Sequence, residues 1–253
     1  MDPDDGETIA IILRGREPFG VKTKKIDIGG LRTGAAAAVG SKYLAREEVD
    51  TVGVIGTGRV GRASLLCLQK VRAFNKVYSH SGRRIDDAFA RDMEKTLGVD
   101  VIACDNPETV ARKADILVTA TYATEPIIKG EWLNEGTHIN GMGADDVLKA
   151  ELDINAIRRM DKIVIDSDKC LTIGEIAIHI ENGLISTNDI YAKIGDIITG
   201  KKPGRENNNE ITFFESDGTH IQSASVSWLI YNKVKEAGLG VDVSKLSSFF
   251  INP

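Results

Sequence analysis

The sequence predicts an α/β fold whose core is a doubly wound, mostly parallel sheet. Three observations carry that reading. Strand-length apolar runs alternate with amphipathic helical stretches from about residue 50 onward. Helices of ten or more residues between the strands imply right-handed crossovers. Gly, at 25 of 253 residues, exceeds the usual ~7%, and several glycines fall where a strand hands over to a helix.

In chain order, Thr8–Leu13 (TIAIIL) reads as a strand. Arg14–Gly30 (RGREPFGVKTKKIDIGG) is basic, Gly-rich and aperiodic, a long loop or a hairpin of weak strands. Gly34–Arg46 is a helix built on alanines. Thr51–Ile55 is a strand, Arg59–Val71 a helix, Lys76–Ser79 a strand, Arg83–Leu97 a helix and Val99–Ala103 a strand. Pro107–Lys113 is a short helix with Pro at an N-terminal position, where its missing N–H costs nothing. Asp115–Thr119 and Thr137–Asn140 are strands, Ala150–Met160 a helix, and Lys162–Asp166 a strand. Thr172–Glu181 and Asp189–Thr199 read as helices, Lys201–Asn209 as a polar loop, Glu210–Phe214 as a strand and Ile221–Glu236 as the closing helix. The residues ahead of the alternation are too few to hold a core alone. They are expected to pack on the sheet, on the segment 238–253, or on a partner chain.

Composition narrows the function classes. With 42% hydrophobic and 27% charged residues the chain is ordinary globular material. No apolar run approaches the roughly 18 residues of a membrane helix. The opening MDPDDGETIA carries acids where an export signal carries bases, so a cytoplasmic location and no membrane partner are expected. A net charge of −5 argues against non-specific nucleic-acid binding. Cys67, Cys104 and Cys170 form no CxxC pair, and no His/Cys/carboxylate group has metal-ligand spacing, so no disulfide framework and no metal are expected.

The strongest local signal is TVGVIGTGRVG, Thr51–Gly61. Gly56, Gly58 and Gly61 satisfy G-x-G-x-x-G between a strand and a helix, the context in which that pattern cradles a dinucleotide pyrophosphate. The helix that follows offers unpaired N–H groups and a positive dipole end to phosphate. The sheet is therefore of Rossmann type. At the end of the second strand stand His80, Ser81, Gly82, Arg83 and Arg84, with no carboxylate among them. A hydroxyl and two guanidiniums suit a 2′-phosphate, which favours NADP(H). NAD(H) stays open, with Asp86 or Asp87 as the ribose acceptor.

The segments LRTGAAAAVGSKYLA (31–45), VGVIGTG (52–58), ADILVTATYATEPIIKGEWL (114–133), GTHINGMGAD (136–145), ELD (151–153), IVIDS (163–167), ITGKKPGR (198–205) and ITFFESDGTHIQ (211–222) recur in order. On them the chain resembles the ornithine cyclodeaminase/mu-crystallin family, which includes archaeal alanine dehydrogenase and several imine and amino-acid reductases. The resemblance implies a Rossmann domain with a reduced second domain formed by the two termini, and a homodimer. Its boundaries would be 1–33 for the remnant of the substrate and dimerisation domain, 34–237 for the dinucleotide-binding domain, and 238–253 packing back on the N-terminal part. It also implies hydride exchange between nicotinamide and the amino or imino carbon of a small acid.

Carried onto this chain, Arg32 binds the substrate carboxylate and Thr33 lies beside the cofactor. Arg59 and Val60 occupy the phosphate loop, while His80, Ser81 and Arg83 flank the adenosine ribose. Thr121 and Tyr122 line the cofactor channel, Met142 and Gly143 face the nicotinamide, and Ser216 and Gly218 close over it. These turns all fall at C-terminal ends of expected parallel strands, where open α/β sheets bind ligands. His138 and His220 read as structural.

Two departures stand out. Where the family carries its acid/base Asp after the S-x-G turn, Gln222 is followed here by Ser223, and Asp217 becomes the nearest candidate. The family also has a longer N-terminal segment with a substrate-binding Lys and Arg, for which Lys22-Thr23-Lys24-Lys25 is the nearest stretch here. A milder change is Val60-Gly61 for the common Gln-Ala. The expected activity is an NAD(P)-dependent oxidoreductase. The alternatives are ornithine cyclodeaminase, giving proline and ammonia, and a weakly catalytic NADPH-binding protein of mu-crystallin type.

Overall fold

The computed structural model describes residues 8–14, 17–23, 28–146 and 148–238. The chain divides into two compact units, one of residues up to Arg32 together with those from Thr219 on, the other Thr33–Gly218. In the first, β1 (Thr8–Arg14) and β2 (Glu17–Thr23) form an antiparallel hairpin, and α8 (His220–Glu236) lies beside β1. Of the basic stretch read as a loop or a weak hairpin, Glu17–Thr23 forms the second strand of this hairpin and Ile28–Gly30 opens the first helix. The helix α8 falls in this unit, whereas the boundary drawn at 237 places it with the sheet. Lys24, Lys25 and the segment 239–253 lie outside the described residues.

The second unit holds the rest of α1 (Ile28–Leu44), the strands β3 (Thr51–Ile55), β4 (Lys76–His80), β5 (Asp100–Ala103), β6 (Ile116–Thr119), β7 (His138–Gly141), β8 (Lys162–Ile165), β9 (Ile190–Lys193) and β10 (Thr212–Glu215), and six helices. These helices are α2 (Arg59–Leu68), α3 (Asp87–Leu97), α4 (Pro107–Lys113), α5 (Ile154–Arg158), α6 (Glu175–Glu181) and α7 (Ile194–Ile198). All eight strands pair in parallel, in the order β5-β4-β3-β6-β7-β10-β8-β9. The winding reverses between β3 and β6, and a crevice opens there above the carboxyl ends of the strands.

Burial explains why the strands read as unbroken apolar runs. Every residue of β6, β7, β8 and β10 is buried, because helices cover both faces of the sheet. In β10, Phe213 joins Val110, Ile128 and Ile157 in one apolar cluster, and Phe214 joins Leu44, Leu65 and Phe89 in another. The two-residue period of a strand sends successive rings to opposite faces. Truncating either ring to Ala would cost about 3–5 kcal/mol.

Four elements depart most from expectation. The helix α3 starts at Asp87 and not Arg83, because Asp86 leaves helical geometry and its Oδ1 accepts from Phe89 N at 3.0 Å as an N-cap. The helix α5 begins only at Ile154, since residues 150–153 stay extended and Leu152 bridges to Ile128. Residues 190–193 form the edge strand β9 and not a helical turn, because Ile190, Ala192 and Lys193 pair with β8. The helix α1 runs from Ile28 to Leu44, six residues earlier at its start than the alanine pattern indicates. No described helix is long and apolar enough to cross a membrane.

Candidate functional site

A cleft of about 330 Å³ lies at the switch point, lined by Gly56–Gly58, Ser81–Arg83, Ala120–Ala123 and Ile127. Its floor is backbone. Gly56 has φ +105°, and a Cβ there would stand 2.2 Å from Ala120 O. Only glycine takes that conformation cheaply, so the ends of β3 and β6 can close on each other. A Cβ on Gly61 would meet Gly56 O at 2.0 Å, so α2 packs directly on the turn. A Cβ on Gly58 would meet nothing within 4 Å. Gly58 also caps α2 with no side chain, which leaves the helix N-terminus open to a ligand. Arg59 is exposed beside it and Val60 packs half-buried on the core.

The adenosine end is built differently from expectation. Ser81 lines the cleft, but its hydroxyl donates to Arg84 O at 2.8 Å and accepts from the Arg83 and Arg84 N–H groups. That hydroxyl closes a turn, and its proton is not available to a phosphate. Arg83 stands in the cleft lining, whereas Arg84 is exposed outside it. Asp86, weighed as a ribose acceptor, takes the Thr57 hydroxyl at 2.6 Å as well as the α3 cap, and the Thr57 bond holds its carboxyl below the usual range. His80 is buried, its Nδ1 accepts from Gly82 N at 3.0 Å, and desolvation lowers its pKa.

Further along the strand ends, Tyr122 is 78% exposed with Lys149 Nζ 4.5 Å above its ring, and Thr121 is bonded to a buried acid, Glu151. Met142 and Gly143 are buried where β7 ends, and Met142 N donates to Thr119 O at 2.8 Å. In the turn after β10, Ser216 Oγ and Gly218 N both donate to Asp166, at 2.7 and 3.0 Å. Both carboxylate oxygens of Asp217 are buried without a hydrogen-bond partner among the described residues. Burial pushes its carboxyl up to about 7, against the pull of Lys169.

Linear spacing hid one grouping. Cys170, Glu215 and Asp217 place a thiol and two carboxylates within 4.8 Å of one another, although no metal-ligand spacing exists in the sequence. The Cys170 thiol donates to Asp166 Oδ1 at 3.3 Å, and Lys169 Nζ lies 3.3 Å from Asp217 O. Sequence reasoning also missed Glu151, Glu175 and Glu215, which are buried acids on separate segments. Glu215 closes β10, but Glu151 and Glu175 sit in stretches that read as helix, so no local pattern marked them.

The remaining candidates are dispersed. Thr33 is buried in α1. In the other unit, Arg32 Nη1 donates to Gln222 Oε1 at 3.2 Å, and Ser223 is exposed on α8. His138 is fully buried between Thr212 and Asn140, where burial lowers its pKa to about 3, and His220 is exposed at the start of α8.

The model of the ornithine cyclodeaminase/mu-crystallin family matches residues 23–238. The chain is 35% identical over 221 residues to the alanine dehydrogenase of Archaeoglobus fulgidus, covering 87% of this chain and 67% of that one. Among solved structures it is similar to the Δ1-pyrroline-2-carboxylate reductase of Thermococcus litoralis in complex with NADH and L-proline, at 38% identity. The TM-score is 0.82, over 89% of this chain and 70% of that one. An archaeal alanine dehydrogenase dimer with bound NAD gives 32% identity and a TM-score of 0.83, over 94% of this chain and 76% of that one. The chain spans about two thirds of the length of the curated relatives it matches, 67% and 65% for the first two.

Proposed function

The chain belongs to the ornithine cyclodeaminase/mu-crystallin family, and from that premise we propose an NAD(P)-dependent oxidoreductase acting on the amino or imino carbon of a small acid. One observation carries the reading: the glycine-floored cleft at the switch point, open at the N-terminus of α2. The donor set fits a dinucleotide, because Gly58 leaves the helix N-terminus uncovered and Arg83 supplies a guanidinium at the far end. A bound nicotinamide dinucleotide would supply the hydride acceptor or donor.

The protein's own residues orient and assist. Gly56–Gly61 hold the pyrophosphate, and Thr121, Met142 and Gly143 shape the nicotinamide side. Asp217, buried and with its carboxyl at about 7, holds the proton exchanged with the substrate nitrogen. Arg32 takes the substrate carboxylate as the family pattern assigns it. Ser223, in place of the cyclodeaminase carboxylate, favours the reductase over the ornithine-to-proline reaction. Arg83 in the cleft, with Asp86 already committed to Thr57, favours NADP(H), while the solved relatives hold NADH and NAD. By analogy with the archaeal dimer, the active form is a homodimer.

The test is direct. Purified protein is titrated with NADPH and NADH, then assayed on pyrroline- and piperideine-carboxylates and on pyruvate with ammonia. Binding and turnover with at least one substrate support the reading; neither binding nor turnover removes it.

A further inference from the structure

Three buried glutamates form a directed series in which each grips the backbone of the segment carrying the one before. Glu151 Oε1 accepts from Thr121 N and Thr121 Oγ1, both at 2.7 Å, and its Oε2 accepts from Gly143 N at 3.2 Å. One carboxylate therefore ties the turn after β6 to the turn after β7. The two turns have no slack between them, since a Cβ on Gly143 would lie 2.5 Å from Thr121 N. Glu151 is held in turn by Glu175, which accepts from Glu151 N at 2.6 Å and Leu152 N at 3.1 Å. Glu175 is held by Glu215, which accepts from the N–H groups of Glu175 and Ile176.

We propose that Glu151 is the positioning residue for the two cofactor-facing turns, with Glu175 and Glu215 keeping it in register. This rests on the dinucleotide reading given above. The residue type supports it. Like charges buried side by side are unfavourable, so amides would serve better wherever one end could donate. A carboxylate, however, accepts on both oxygens, whereas a glutamine turns one end into a donor. At Glu151 both ends face donors, one on each turn, so only the ionised acid grips both.

Desolvation, with Glu175 adding to it, pushes the Glu151 carboxyl up to about 7. The charged group beside it is Glu175, which has His179 Nε2 3.5 Å from its Oε1; Glu215 and Asp217 lie beyond Glu175, and Asp145 and Lys149 pair with each other on the preceding segment. Protonation on Oε2 keeps both hydrogen bonds from Thr121 to Oε1 and releases Gly143 N. Cofactor affinity therefore falls as pH falls through about 7.

The experiment measures NADH and NADPH dissociation constants from acid to mildly alkaline pH, with thermal melting as the check on folding. Wild-type protein is expected to bind more weakly on the acid side. Glu151→Gln, fixed in the neutral form, binds about tenfold more weakly at alkaline pH, the worth of one hydrogen bond to a carboxylate, with a flat profile. Thr121→Val keeps both backbone donors and moves the midpoint up, while Glu175→Gln removes a neighbouring negative charge and moves it down. A Glu151→Gln protein with wild-type affinity and slope overturns the assignment alone. If that variant does not fold, an unchanged midpoint in folded Thr121→Val overturns it. A wild-type chain that binds neither dinucleotide brings down this assignment and the functional reading together.

Discussion

The two halves of the strand-end crevice are made of different material. Around β3 the site is backbone: glycines at 56, 58 and 61 remove side chains so that peptide groups approach closely. Around β7, β8 and β10 it is side chain: Glu151, Glu175, Glu215 and Asp166 bind peptide groups of segments 24 to 52 residues away in sequence. The first half is specified within eleven consecutive residues, Thr51–Gly61. The second depends on pairs such as Glu175 and Glu215, which are 40 residues apart. A phosphate loop can therefore be read locally, while a carboxylate framework exists only once the sheet is assembled.

The sharpest way to break the comparison is Gly56→Ala. At φ +105° and 2.2 Å from Ala120 O, the methyl group forces β3 and β6 apart. Dinucleotide affinity should fall more than a hundredfold, beyond about 2.7 kcal/mol, with a smaller loss of melting temperature. Isothermal titration and melting curves on the same sample separate the two effects.

In the other half, Glu215→Leu should act first on stability. It leaves the Glu175 and Ile176 N–H groups buried and unpaired, at about 1–3 kcal/mol each. Urea denaturation should show the loss, and Glu215→Gln, retaining one acceptor, should recover about half of it. Equal melting of Glu215→Leu and wild type would erase the proposed distinction between the halves.

The smallest effect sharpens the adenosine end. Arg83→Ala should weaken NADPH about tenfold and leave NADH unchanged, since one guanidinium–phosphate bond is at stake. Arg84→Ala, outside the cleft lining, should change neither. Wild-type protein that prefers NADH would overturn the 2′-phosphate reading.

What the sequence made legible follows the same division. Apolar runs marked the buried strands, and β3 appears over the residues expected, because a doubly covered strand leaves no polar face to confuse its pattern. The Pro107 helix was equally plain from its N1 proline and its Asn106 cap. Strand order was not legible, since nothing local says that Thr212–Glu215 lies between β7 and β8. The segment 189–199 misled because its helical pattern competes with pairing to β8, a tertiary contact that decides the matter. In the site, the cleft glycines and Arg83 were readable from order along the chain. The Ser81 hydroxyl was not, because its own turn consumes it. Glu151 was hidden because residues that look like the first turn of α5 are extended to carry it.

The place of β10 bears on how the chain is made. It is the last described strand in sequence and sits third from the β9 edge, filling the gap between β7 and β8. During synthesis the earlier strands must wait, with two unsatisfied strand edges facing each other across a vacancy, until residue 215 has left the ribosome. Unpaired edges of that kind are where chains join wrongly. A nascent chain stalled before Thr212 should be a strong client for chaperones, and one released after α8 should not.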